Sequence, residues 1–226
     1  MAKTTITFLC IYFAVCLALF VLFQTTTSEG SVNSGFYIGS SVFIFVYVIA
    51  DYKEKFNYLL MFSNTRKNIF ISSAVTFTVM SIFLAVVSIL SIRLDGVVSR
   101  AFEFGGSGHL GLLSLIYNSS DIAFEFLWFT TFFILICSFS MLYSSLAYKL
   151  GKVFITLFWI CFGISWFILP IASGLDGATT CINALKAYFC ISVPNGILLA
   201  PVNFIITTVI FGAAAYVISS RQPQVA

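Results

Sequence analysis

The stretch IAFEFLWFTTFFILICSFSMLYSSLA, residues 122–147, decides how this chain must fold. Glu125 is its one formally charged side chain. About 20 mainly apolar residues suffice to cross a bilayer as a helix. Inside hydrocarbon every backbone N–H and C=O must find its partner within the protein, so such a run is helical. Comparable blocks occupy residues 6–23, 34–51, 68–92, 153–171 and 197–219, giving six expected spans. The block at 34–51 is the most dilute, through Gly39, Ser40 and Ser41. The short alternating segments of a transmembrane β-barrel are absent.

Composition agrees with that reading. The chain is 60% hydrophobic and 8% charged, against about a quarter charged in an average globular chain. Phe alone occurs 27 times. The expectation is an all-α membrane protein, with residues 1–226 forming a single transmembrane domain. The first block is followed by QTTTSEG rather than a small-x-small cleavage pattern, so it reads as a retained helix.

Lys and Arg set the direction. With the N-terminus inside, the inner side holds Lys3, Lys53, Lys55, Arg66, Lys67, Lys149, Lys152 and Arg221. The outer side holds Arg93, Arg100 and Lys186. Six spans then leave both termini in the cytoplasm. The last outer connection contains CINALKAYFCISV, residues 181–193, apolar enough to re-enter the membrane before span six. Irregular backbone at that depth must be covered by protein or water.

Between spans two and three lies the sizeable inner loop, residues 51–67. Asp51 to Phe62 reads as a short amphipathic helix, with Phe56, Leu59 and Leu60 on one face. Asp51 and Lys55 stand four apart in the favourable acid-first order. Ser63-Asn64 stops the helix, and Thr65 is a candidate N-cap for the next span. Arg66 and Lys67 would sit at a helix start, where the macrodipole disfavours cations. Anionic headgroups or an acidic partner would hold them there. Spacing alone also fits an ordinary basic inner loop.

The run Leu60-Met61-Phe62-Ser63-Asn64-Thr65-Arg66-Lys67-Asn68-Ile69-Phe70 resembles the first inner loop of small six-helix permeases of the second class of ABC exporters. In that family a short helix is followed by Gly-x-Thr-Arg-Lys and an aromatic restart. The six spans, inside termini and apolar segment before the last span extend the likeness along nearly the whole chain. The loop alone is motif-like. Ser63 stands where family members often have Gly. The five residues before the first span leave no room for the interface helix many relatives carry, which favours the compact subfamily. Size and aromatic richness look most like the exporters of amphipathic peptides, including phenol-soluble modulins.

That resemblance implies a non-catalytic permease subunit moving amphipathic peptides or lipid-like molecules out of the cell. The loop would be a coupling helix docked on a separate ATPase. Phe56, Tyr58, Leu59, Leu60, Phe62, Thr65, Arg66 and Lys67 would be its coupling residues. Two ATPase chains, carrying ATP and Mg, would bind two permease copies, identical or closely paralogous, in a bacterial cytoplasmic membrane. Membrane lipids are the other expected partners, and nucleic acid is not one.

The chain has no G-x-x-x-x-G-K-[ST] phosphate loop of its own. GGSGHLG, residues 105–111, contains a formal G-x-G-x-x-G but lacks the strand that a dinucleotide site requires, and reads as outer loop. His109 has no neighbouring Cys, so no metal site is expected. Cys181 and Cys190 share an outer loop and are either bridged or two free thiols.

Within the spans, Glu125 either reaches the outer headgroups or faces a cavity and meets a cationic cargo. Trp128, Thr131 and Trp166 are the other candidates for a translocation path. Thr131, Ser138 and Ser145 recur every seven residues, and Gly212-Ala213-Ala214-Ala215 forms a second smooth patch. Both read as helix-packing stripes. The rival functions are a secondary carrier, which needs paired charges or broken helices at the midplane, and a non-transporting immunity or assembly protein.

Overall fold

A computed structural model describes residues 34–61, 66–101, 117, 121–171, 183–191 and 196–220. The first expected span, 6–23, lies outside the described residues. Five long helices are present among them: α1 (Ser34–Met61), α2 (Arg66–Ala101), α3 (Ile122–Leu150), α4 (Lys152–Ile171) and α5 (Gly196–Ser220). Among the described residues, three segments are long and apolar enough to cross a membrane: Lys67–Arg93, Ile122–Leu150 and Leu198–Ser220. Gly39–Tyr52 and Lys152–Cys161 are shorter apolar stretches. The described residues are almost entirely helical, and the chain is an integral membrane protein.

Two helices outrun their expected bounds. The block at 34–51 and the expected separate helix at 51–62 form one element, α1, continuous to Met61. No Gly or Pro interrupts residues 51–61, and their Lys, Glu and Leu are good helix formers, so nothing stops the turn there. The segment expected to be a separate helix is thus continuous with the apolar helix before it. Likewise α2 runs past residue 92 to Ala101, 36 residues in all. At 1.5 Å per residue that is about 54 Å, well beyond a hydrocarbon core of roughly 30 Å. A Gly such as Gly96 costs a helix interior only about 1 kcal/mol, too little to end it.

α3 is capped by its own sequence. The Asp121 carboxylate accepts from the Ala123 N–H at 3.0 Å. Glu125 lies in its first turn and Lys149 in its last, both matched to the macrodipole. Gly151, at φ +72°, turns the chain straight into α4, and its N–H bonds Ala147 O at 2.9 Å. A left-handed φ of this kind favours glycine. Pro201 sits buried inside α5, where it can donate no bond to the preceding turn.

α3 is the central rod. Its contacts define the directions of the others. Phe45 and Tyr52 of α1 meet Tyr143 and Ser145, so α1 runs parallel to α3. Phe204 and Thr208 of α5 meet Trp128 and Ser138, so α5 is parallel too. Arg93 and Ser81 of α2 meet Glu125 and Cys137, so α2 is antiparallel. Phe154 and Phe158 of α4 pack on Tyr143. The shared core holds Ile44, Val48, Phe77, Leu84, Phe129, Phe133 and Phe204.

The two smooth stripes meet as packing surfaces. Thr131, Ser138 and Ser145 are all buried. Ser138 Oγ donates to Thr208 O at 2.9 Å. A methyl on Gly212 would rest 3.6 Å from Ser138 Oγ. Close approach of α3 and α5 through small residues is how membrane helices gain dispersion energy without a hydrophobic drive.

Candidate functional site

Among the described residues, two clusters of polar contacts between helices stand near opposite ends of the bundle. The first surrounds the root of the 51–67 segment. Tyr52 is 3% exposed. Its hydroxyl donates to Ser219 Oγ at 2.9 Å and accepts from Ser145 Oγ at 3.1 Å. Three helices, α1, α3 and α5, are thereby tied at one buried point. Ile69 of α2 and Tyr148 of α3 pack around it. Phe70 of α2 meets Tyr216 of α5 edge-on, with ring centroids 5.3 Å apart. The hairpin formed by α1 and α2 is therefore seated on α3 and α5 by both its arms.

Phe56, Tyr58, Leu59 and Leu60 lie on the helical extension of α1, but their side chains fall outside the described residues. Phe62 and Thr65 lie outside them altogether. Arg66 is the first residue of α2, and Lys67 beside it is exposed. Tyr52 and Ser219 escape sequence reasoning. A lone Tyr at the end of an apolar run reads as an interfacial anchor. Only the register of three helices reveals its partners.

At the opposite end, Glu125, Trp128 and Thr131 come together on one face of α3. Glu125 is buried, and its Oε2 accepts from Arg93 Nη2 at 3.2 Å. The Arg93 side chain is 46% exposed and that of Glu125 4%. The carboxylate thus has a cationic partner within the chain, where a cavity would have offered it to cargo. Arg93, expected in the outer loop, instead belongs to α2 and joins it to α3. The signal was present in the sequence: opposite charges flank the same end of two consecutive spans.

Trp128 is buried among aromatic rings. It stacks on Phe132 at 5.0 Å and meets Phe204 at 5.4 Å and Phe189 at 6.4 Å. Thr131 Oγ1 donates to Leu127 O at 2.8 Å within its own helix. These rings fill the space between α3 and α5. Trp166 belongs to α4, but its side chain falls outside the described residues.

Residues 183–191 supply Phe189 to that cluster. They form a short helical turn at 183–188 followed by a tight reversal. Asn203 Nδ2 donates to Tyr188 O at 2.9 Å, and Tyr188 Oη donates to Thr207 Oγ1 at 2.9 Å. The Tyr117 hydroxyl donates to Phe189 O. Burial pushes the Tyr117 phenol above its ordinary value, so it stays a protonated donor at neutral pH. Thr207 stands nine residues into the Leu198–Ser220 segment, about 13 Å along it at 1.5 Å per residue. The 183–191 segment therefore lies alongside the first half of a membrane-crossing helix.

Cys190 is a buried free thiol with φ +53°, and Asn203 Nδ2 lies 3.4 Å from its sulfur. Cys181, its candidate partner, lies outside the described residues, as do His109 and the Gly105–Gly111 run. No cluster of metal-ligating side chains occurs among the described residues.

Comparison of the chain with protein-family models, with curated proteins and with solved structures gives no match.

Proposed function

We propose that the chain is the permease subunit of an ATP-driven exporter of amphipathic or lipid-like molecules. It would sit in a bacterial cytoplasmic membrane with six spans and both termini inside. One observation carries this reading. α1 continues as helix beyond its apolar part, from Tyr52 to Met61, and its root is held by the Tyr52–Ser145–Ser219 hydrogen bonds. A helical extension whose root is bonded to two other helices can transmit a push. A floppy basic loop cannot.

In this reading a separate ATPase grips Phe56, Tyr58, Leu59, Leu60, Phe62, Thr65, Arg66 and Lys67. Two permease copies and two ATPase chains make the working unit, and ATP and Mg reside on the ATPases. Closure of the motors displaces the α1–α2 hairpin and rocks α3 and α5 as rigid bodies. The loop sequence Leu60–Phe70 supports the assignment by its likeness to coupling loops of such exporters.

A secondary carrier has one observation in its favour, the Arg93–Glu125 pair. Both residues lie at the ends of their apolar segments, Lys67–Arg93 and Ile122–Leu150, rather than at the midplane where carriers bind ions. The exporter reading therefore stands ahead. A non-transporting immunity or assembly role gives the helical lever no task.

A neighbouring reading frame that encodes a stand-alone ATPase is expected, and co-expression with that ATPase tests the proposal. The two should co-purify, and candidate peptides should raise ATP turnover. Joint replacement L59D, L60D and F62D should abolish that stimulation while leaving the chain in the membrane. ATP turnover that still responds to peptide in the triple variant would remove the lever from the mechanism.

A further inference from the structure

We infer that the seam between α2 and α3 holds one buried water molecule that bridges the hydroxyls of Ser88 and Thr130. Two contacts fix the register of these antiparallel helices. Ser81 Oγ lies 3.3 Å from Cys137 Sγ, and Arg93 Nη2 donates to Glu125 Oε2 at 3.2 Å. Twelve positions forward on α2 thus match twelve positions back on α3. Ser88 stands seven forward from Ser81, and Thr130 seven back from Cys137. Seven residues make just under two turns, so each returns to the face that carries the Ser81–Cys137 contact. Ser88 and Thr130 are therefore opposite one another across the seam.

Among the described residues, neither hydroxyl has a hydrogen-bond partner. Ser88 is fully buried, and Thr130 Oγ1 is shut off from solvent. Other hydroxyls of these two helices bond back to the carbonyl one turn earlier. Ser81 donates to Phe77 O, Ser91 to Val87 O, Thr131 to Leu127 O and Ser140 to Ile136 O, each at 2.7–2.8 Å. Ser88 and Thr130 forgo that bond. Their depth makes this costly. Ser88 lies five residues, about 7.5 Å, inside the Arg93 end of the segment Lys67–Arg93. Lipid tails offer no donor or acceptor at that level.

Size and charge select the occupant. Full burial of Ser88 admits only a molecule small enough to be enclosed between helices. Two neutral hydroxyls bring no charge to balance an ion, and the Glu125 carboxylate, five residues from Thr130, is already engaged by Arg93. Water meets both limits, and it can donate to one hydroxyl while accepting from the other. Leu84 O and Phe126 O, the carbonyls one turn before Ser88 and Thr130, each keep a second lone pair for its remaining proton. Buried waters typically make about three such bonds. The site depends on α2–α3 packing alone, so it survives failure of the exporter reading.

A crystal structure of the unaltered chain, grown in a lipidic mesophase and sharp enough to show ordered water, reads the site directly. One peak should stand about 2.7–3.2 Å from both Ser88 Oγ and Thr130 Oγ1. A direct bond between the two hydroxyls, or a dry seam, overturns the inference. A double-mutant cycle on thermal unfolding gives the second test. S88A and T130V should each lower Tm by about 3 °C, because each leaves the opposite hydroxyl and the water short of a partner. S88A/T130V should return to within about 1 °C of the parent, since apolar replacement on both sides leaves no hydroxyl to satisfy. Additive losses, or single variants as stable as the parent, refute the bridge. Should a single variant fail to fold, the structure of the unaltered chain decides.

Discussion

Tyr52 and Ser219, 167 positions apart in sequence, share a 2.9 Å hydrogen bond where three helices converge. Both are buried, and Ser145 donates to the same phenol. Interhelical hydrogen bonds in membranes contribute about 0.6–2 kcal/mol each. Y52F keeps the ring and deletes both bonds, so it should lower unfolding stability by about 1–3 kcal/mol. Y52A also empties the site and should cost about 3–5 kcal/mol. Unfolding in mixed micelles, followed by circular dichroism, measures both. Equal stability of Y52F and the parent would remove the node from the account.

The Arg93–Glu125 pair makes an asymmetric prediction. R93M strands a buried carboxylate, whereas E125Q leaves a half-exposed guanidinium that water can still reach. R93M should therefore cost about 1–3 kcal/mol and E125Q less, because an unpaired buried charge is the expensive species. The double variant should recover part of the R93M loss. A double-mutant cycle on thermal unfolding measures the coupling, and additive losses would mean the two groups do not interact.

Asn203 anchors the 183–191 segment to α5 through the Tyr188 carbonyl. N203L should loosen that segment and expose Cys190, which is 8% exposed in the folded chain. Maleimide labelling at Cys190, in a variant whose other cysteines are Ala or Ser, should accelerate about tenfold as local opening becomes easier. An unchanged rate would show that the aromatic contacts of Phe189 hold the segment without Asn203.

Gly212 sets the approach of α5 to Ser138. G212A should be neutral or stabilising by up to about 1 kcal/mol, since the added methyl finds ordinary contact and Gly weakens helix interiors. G212L should overpack the α3–α5 seam and cost about 1–3 kcal/mol. The order of melting temperatures, Ala at or above Gly and both above Leu, checks this.

Much of this architecture was legible in residue order. The blocks at 122–147, 153–171 and 197–219 match α3, α4 and α5 closely, because apolarity and length alone force helices in hydrocarbon. The seven-residue stripe Thr131, Ser138, Ser145 announced the face that meets α5. Helix ends were harder. Polarity rises at Asp51 and at Arg93, and each rise read as the end of a span. A rise in polarity does not itself end a helix, because charged residues such as Lys and Glu keep good helix propensity. The site partners were hidden for another reason. Tyr52 finds Ser145 and Ser219 only through the relative register of α1, α3 and α5, which no local pattern encodes. Arg93 and Glu125 could have been paired, since a hairpin of two spans must bring its connected ends to the same depth.

The exporter mechanism requires that the extension of α1 touch a motor. A photo-crosslinking amino acid at Leu60, introduced into the chain and read in the membranes of its native host, reports that contact directly. The lever reading predicts a covalent adduct with the ATPase whose yield changes between ATP-bound and nucleotide-free states. Adducts with lipid alone, in both states, would contradict it.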